Sequence, residues 1–298
     1  MVDSAYRAHE LLVAPARHRP QLWRLGAGLI VAAAIAIALS RVAHDLVGVL
    51  APDLFAVGTQ DYDLGNSPAS LLLLLGSFGF VIFGVMVAAR VVQHRDPLGL
   101  IGPLPLALHQ FWRVLRLLLV VGGLVLLLPP YDMGTALHRN LQPTLWLMLL
   151  PLSLLAVLIQ TAAEEILFRG YIQQTLAARF NCPLVWMLAP AVIFALGHYM
   201  PAEAGENALL ITLWAGFFGL MTADLTARAG TLGPAIAVHL FNNVIALLIV
   251  ALPDSLSGLA LFTVPFSMSD TAGLRDWLAV DLATMAVSWL AARVAIRR

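Results

Sequence analysis

The stretch TLWLMLLPLSLLAVLIQTAAEEILFRGY, residues 144–171, decides the fold. Its first 20 residues are apolar or small and polar, enough to cross a hydrocarbon core of about 30 Å, and they end in two adjacent glutamates and an arginine: Glu164, Glu165 and Arg169. Ionisable groups in such a run are costly, so they mark a functional site and face a protein interior or a water-filled cavity. Working outward, further apolar runs span about 25–50, 69–92, 114–130, 184–200, 208–226, 232–252 and 274–295. With 144–164 this predicts eight crossings in an all-α, polytopic membrane bundle. Composition agrees, at 60% hydrophobic and 11% charged residues, against about 25% charged in soluble domains. Long continuous runs argue for helices over a barrel, whose strands alternate in polarity.

The sequence contains no lysine, so arginine alone orients the bundle. With both termini cytoplasmic, 14 of the 17 arginines fall on one side: Arg7, Arg17, Arg19, Arg24, Arg90, Arg95, Arg113, Arg116, Arg169, Arg179, Arg228, Arg293, Arg297 and Arg298. The opposite loops collect Asp53, Asp61, Asp63, Asp132, Glu203, Glu206, Asp254 and Asp270, with Arg139 and Arg275 as minority cations. The zero formal net charge adds nothing, because the segregation of sign carries the information. The resulting organisation is a cytoplasmic segment 1–24, transmembrane helices over 25–140, a core carrying the intramembrane polar residues over 141–252, and a loop and last helix over 253–298. A cleaved leader ending near Ala43 is disfavoured by the long polar stretch before the first apolar run. The lone Cys182 excludes an intrachain disulfide. Phosphate-binding and zinc-finger spacings are missing, and no nucleic-acid partner is expected.

From Thr144 the pattern stays helical through Phe180, breaks at Asn181, Cys182 and Pro183, and resumes at Leu184, which predicts a helical hairpin. Glu164 lies 17 residues before Asn181 and His198 lies 17 after it, so both stand about 25 Å from the turn. A second break at Gly230 and Gly233 precedes a helix on which His239 and Asn243, four apart, share a face. Neighbours on a helix point about 100° apart whereas residues four apart stack. Glu165 and Arg169 are therefore expected to pair as structural support, leaving Glu164 as the free carboxylate, suited to taking a proton from water. Phe194 is expected to pack beneath His198, and Asn242 to point elsewhere.

Two wirings stay open. In one, His198, His239 and Glu164 ligate zinc, which acidifies a bound water. In the other, Glu164 and His198 activate the water directly, and His239 and Asn243 donate hydrogen bonds to an oxyanion. The H-E-x-x-H helix of soluble zinc proteases is missing.

Three motifs now stand in order: E-E-x-x-x-R over Glu164–Arg169, F-x-x-x-H over Phe194–His198, and H-x-x-x-N over His239–Asn243. Together they resemble the CAAX protease and bacteriocin-processing (CPBP) intramembrane proteases, which include the type II CAAX prenyl endopeptidases. The resemblance covers about 144–251, and every motif position matches. It implies an eight-helix bundle that hydrolyses peptide bonds of a membrane-associated protein or peptide, such as a CAAX-type or other C-terminal tail. It also implies Glu164 as acid or base, His198 and His239 as metal ligands or as water and oxyanion partners, and Asn243 as oxyanion donor. Glu165, Arg169 and Phe194 are supporting residues. Competing expectations are a non-catalytic scaffold or immunity-type protein that uses the same pocket, and a proton-linked transporter, which the lack of paired repeats disfavours. The lysine-free, alanine-rich composition points to a bacterial plasma membrane. The other histidines and the segment from His94 to Arg116, with Trp112, Arg113 and Arg116, are expected at the interface.

Overall fold

In this computed structural model, residues 4–52, 64–125, 127 and 136–297 are described. Eight apolar helices follow one another: α1 Leu22–Leu50, α2 Pro68–Val91, α3 Leu104–Val125, α4 Pro143–Glu165, α5 Pro183–Leu196, α6 Ala208–Ala229, α7 Gly233–Val244 and α8 Thr271–Ile296. Chain chemistry sets several ends. Pro68, Pro143 and Pro183 occupy the first turns of α2, α4 and α5, where a missing N–H costs nothing. Ser67 closes a capping box with Ser70, and the Asp270 carboxylate accepts the backbone N–H groups of Ala272 and Gly273, each at 3.0 Å. Gly230, at φ 71°, ends α6 in the left-handed conformation that glycine adopts without strain.

Two π-helical segments break the α-helical register. Ile166–Gln173 follows directly on α4 before helix resumes over Gln174–Arg179, and Ile245–Ile249 follows directly on α7. Each begins within two residues of a motif residue, Glu165 in one case and Asn243 in the other, and such bulges concentrate at functional sites.

Among the described residues six helical stretches are long and apolar enough to cross a membrane: Leu22–Leu50, Pro68–Val91, Leu104–Val125, Pro143–Arg179, Pro201–Ala229 and Thr271–Ile296. The chain is thus an all-α polytopic membrane protein. The other two apolar helices, Pro183–Leu196 and Gly233–Ile249, are shorter, and these two carry the second and third motifs. Three further departures from expectation have local causes. α3 begins at Leu104, ten residues before the expected run at 114, so His109, Trp112 and Arg113 lie within a helix long and apolar enough to span. α5 stops at Leu196, which puts His198 in the turn beyond it. Arg169, counted with the arginines of the cytoplasmic side, is buried inside the bundle instead. The acidic positions Asp53, Asp61, Asp63 and Asp132, the terminal Arg298 and residues 128–130 lie outside the described residues.

Each end of the bundle is tied together separately. At the end holding the N-terminal segment, the Tyr6 hydroxyl donates to Asp224 at 2.9 Å, and Asp224 also accepts from Arg228 at 2.8 Å and from the Trp289 indole at 3.0 Å. Arg95 is 4% exposed, hydrogen bonds Gln174 and Gln93, and is held down to about 10 by burial. At the other end a three-stranded sheet forms in the order β1-β3-β2, from β1 His138–Arg139, β2 Val250–Ala251 and β3 Phe262–Thr263, antiparallel between β1 and β3 and parallel between β2 and β3. There Asn140 donates to the carbonyls of Ser257 and Ala260, at 2.7 and 2.9 Å.

His9 packs on Trp186 at the hairpin's turn, with ring centroids 4.7 Å apart. Burial pushes its imidazole down to about 4, from the usual 6.5, outweighing the raising effect of Glu10. A histidine whose folded value is depressed stabilises the docked state above its unfolded value and loses that contribution as pH falls towards the folded one. Protease nicking of the N-terminal segment should therefore rise as pH drops from about 6.5 towards 4. His9→Phe should flatten that profile.

Candidate active site

The site grows out of α4. Gln160 and Glu164 are four residues apart and share a face. That face fronts a cavity of about 310 Å³ together with His198, His239, Asn242 and Asn243. The three motifs, separated by up to 79 residues in sequence (243 − 164 = 79), thus meet at one place. Asn242, expected to point away, lines the cavity too, and its amide lies 3.4 Å from the Asn243 side-chain oxygen.

Glu165 does more than pair with Arg169. The expected bond is present, with Arg169 Nη1 donating to Glu165 Oε1 at 3.1 Å. The same oxygen lies 2.7 Å from His239 Nδ1. Glu165 therefore accepts from both, and it fixes His239 with its Nε2 3.5 Å from Glu164 Oε2. Arg169 Nη2 in turn donates to the Gly219 carbonyl at 3.1 Å. A side chain at Gly219 would sit 3.0 Å from Ala191 and 3.4 Å from that guanidinium, so glycine is what lets α6 come this close. The arrangement runs Gly219, Arg169, Glu165, His239, Glu164, from the core to the cavity. The Glu165 and Arg169 side chains are 0% and 1% exposed, whereas that of Glu164 is 17% exposed. The free carboxylate is thus the one that reaches the cavity.

The aromatic wall orients the histidines. Phe194 lies tilted against His198 at 4.6 Å and stands edge-on to His239 at 6.3 Å, while the Arg169 guanidinium lies 5.0 Å from its ring centre. Phe218 meets His239 edge-on at 4.7 Å and is stacked on Trp214, whose indole donates to Asp281 at 2.8 Å. His198 Nδ1 lies 2.9 Å from the Phe194 carbonyl, which can only accept, so that nitrogen carries the proton and Nε2 is left bare. His239 likewise turns Nδ1 to a fixed partner, Glu165. Both rings turn Nε2 away from a fixed Nδ1 partner, the orientation that metal-binding histidines also take.

A catalytic zinc takes three protein ligands. Among the described residues no three His, Cys, Asp or Glu side chains are grouped closely enough to hold a metal ion. As placed, Glu164, His198 and His239 do not form such a group.

Several contributors carry little sequence signal. Gln160, whose Oε1 accepts from Asn243 Nδ2 at 2.9 Å, could have been found as a second polar residue one turn before Glu164. Trp214, Phe218 and Asp281 lie far from the motifs and have no spacing that marks them. Leu74, Leu75 and Phe78 bring α2 into the wall.

Fold and site define an integral membrane protein whose bundle encloses a carboxylate, two histidines and three side-chain amides. This chain matches, over residues 145–245, the family model described as type II CAAX prenyl endopeptidase Rce1-like. It is also 26% identical over 228 residues to the uncharacterized protein YyaK of Bacillus subtilis (strain 168), an alignment covering 73% of this chain and 71% of that one. No solved structure matches.

Proposed function

We propose that this protein is an intramembrane endopeptidase that hydrolyses a peptide bond in a membrane-associated protein or peptide, with Glu164 as the base. The carrying observation is the convergence of Glu164, His198, His239 and Asn243 on one cavity. Glu164 and the bare Nε2 of His198 hold a water. Glu164 takes its proton as the oxygen attacks the scissile carbonyl, and the same proton then passes to the leaving amine. The oxyanion receives hydrogen bonds from the second N–H of the Asn243 amide, the first being given to Gln160, and from His239 Nε2. Glu165 orients His239 as the carboxylate of a serine-protease triad orients its histidine.

The test compares the peptide termini of all membrane-associated proteins in cells carrying the wild type or Glu164→Gln at equal abundance. Termini present only with the wild type support hydrolysis. Identical sets, with the phenotype retained by the variant, return the pocket to a binding role. Asn243→Ala is expected to lower the cleavage rate about 10²- to 10³-fold with little change in membrane abundance, the usual result of removing one oxyanion donor. Removal of divalent metals by a chelator is expected to leave cleavage by the purified protein unchanged; loss that zinc restores would reinstate the metal wiring. The membrane we assign is a bacterial plasma membrane.

A further inference from the structure

The two ends of the bundle differ in charge and in their access to the cavity. One end carries Arg17, Arg24, Arg90, Arg179, Arg228 and Arg297 on or beside its helix termini. The other carries Glu203, Glu206, Asp254 and Asp270, with Arg139 and Arg275. Arginine in short loops marks the cytoplasmic side.

The cavity is closed towards the arginine-rich end. Immediately below Glu165 and His239 on that side lie Arg169 at 1% exposure and Gln173, Thr222 and Leu225 at 0%. The Gln173 amide donates to the Ala223 carbonyl at 3.1 Å, which seals α4's continuation to α6. Towards the acidic end the lining is partly exposed. Trp214 and Leu74 each sit six residues inside the acidic-end start of their helices, about 9 Å, and Leu256 comes from the loop beyond α7. Helix α5 starts at the arginine-rich end and stops after 14 residues, about 21 Å, short of a core about 30 Å thick. Its end, with His198, is thus left inside the membrane. Ala246, on the cavity wall just past Asn243, is exposed.

We infer that the cavity opens to the extracytoplasmic face, and that its substrate is an apolar peptide stretch presented from that side, such as the outer end of a membrane-spanning segment, not a cytoplasmic tail. Leu74, Phe78, Trp214, Leu247 and Leu256 supply apolar surface for residues flanking the cleaved bond. The substrate class rests on the proposed peptidase activity. The direction of access does not.

Cys182 makes the test direct, since it is the sole thiol in the sequence, is exposed, and lies in the turn between α4's continuation and α5 at the arginine-rich end. A membrane-impermeant maleimide should label it in inverted vesicles and not in intact spheroplasts. In a Cys182→Ser background, Glu203→Cys on the acidic end and Ala246→Cys in the cavity should label in spheroplasts and not in inverted vesicles. Labelling of Cys182 in spheroplasts would invert the bundle and overturn the inference. So would a cavity cysteine that reacts from the vesicle side, or from neither. The wild-type-dependent termini separate the two claims. If none appear while the labelling pattern holds, the peptidase reading fails and the access stands; if they map to cytoplasmic segments, the peptidase stands and this inference fails.

Discussion

Glu164→Gln is expected to lower substrate cleavage by about 10²- to 10⁴-fold, the range spanned by positioned general bases, while the protein folds and inserts as before. Glutamine keeps the shape of the side chain and its hydrogen-bonding reach, so the cavity wall survives. What it loses is the ability to accept a proton. Folding should be spared because Glu164 is the partly exposed member of the pair, outside the fully buried Glu165–Arg169 bond. Glu164→Asp, which retains a base but draws it back by one methylene, should recover part of the rate. A Glu164→Gln protein that cleaves at the wild-type rate would remove this residue from the chemistry.

The opposite behaviour is expected one position along. Arg169→Met leaves the Glu165 carboxylate buried without its guanidinium, and breaking a buried ion pair by removing one partner costs about 3–5 kcal/mol. The variant should show a strong drop in thermal midpoint in detergent and in membrane abundance. The double variant Glu165→Leu with Arg169→Met removes both charges, and buried pairs replaced by apolar residues of similar size are often neutral in stability. Its midpoint should return most of the way. Its activity should not, because His239 has lost the carboxylate that fixes its Nδ1 proton; the corresponding loss in a serine-protease triad reaches about 10⁴-fold. A double variant that regains stability and activity together would reduce Glu165 to an ion-pair partner.

That dual role of Glu165 marks the limit of what the sequence makes legible. Spacing along one helix identifies Arg169 as its partner, because residues four apart stack whatever the tertiary structure. It cannot identify His239, 74 residues away, because that contact depends on how α7 crosses α4. The eight apolar helices were legible for the same reason that hydropathy works in lipid: every backbone polar group must be satisfied within its own helix. The early stop of α5 was not, since Gly197 and His198 continue an apolar run that composition alone extends to residue 200. Asn242 was misplaced because which faces of α7 line the cavity depends on the helices packed around it and not on its own spacing.

The π-helical segments after Glu165 and Asn243 carry a consequence for how this chain can change. A π bulge behaves as a one-residue insertion into an α-helix. Deleting a single residue between Ile166 and Gln173 would remove that insertion and relax the segment to regular helix, leaving the residues beyond it close to their present face. Gln174 would stay near Leu100 while Glu164 and Glu165 kept their places. A deletion earlier in α4, where the helix is regular, has no such slack and would turn the two glutamates by about 100° relative to what precedes them. Sequences sharing these motifs should therefore vary in length by one residue within 166–173 more readily than within 143–163.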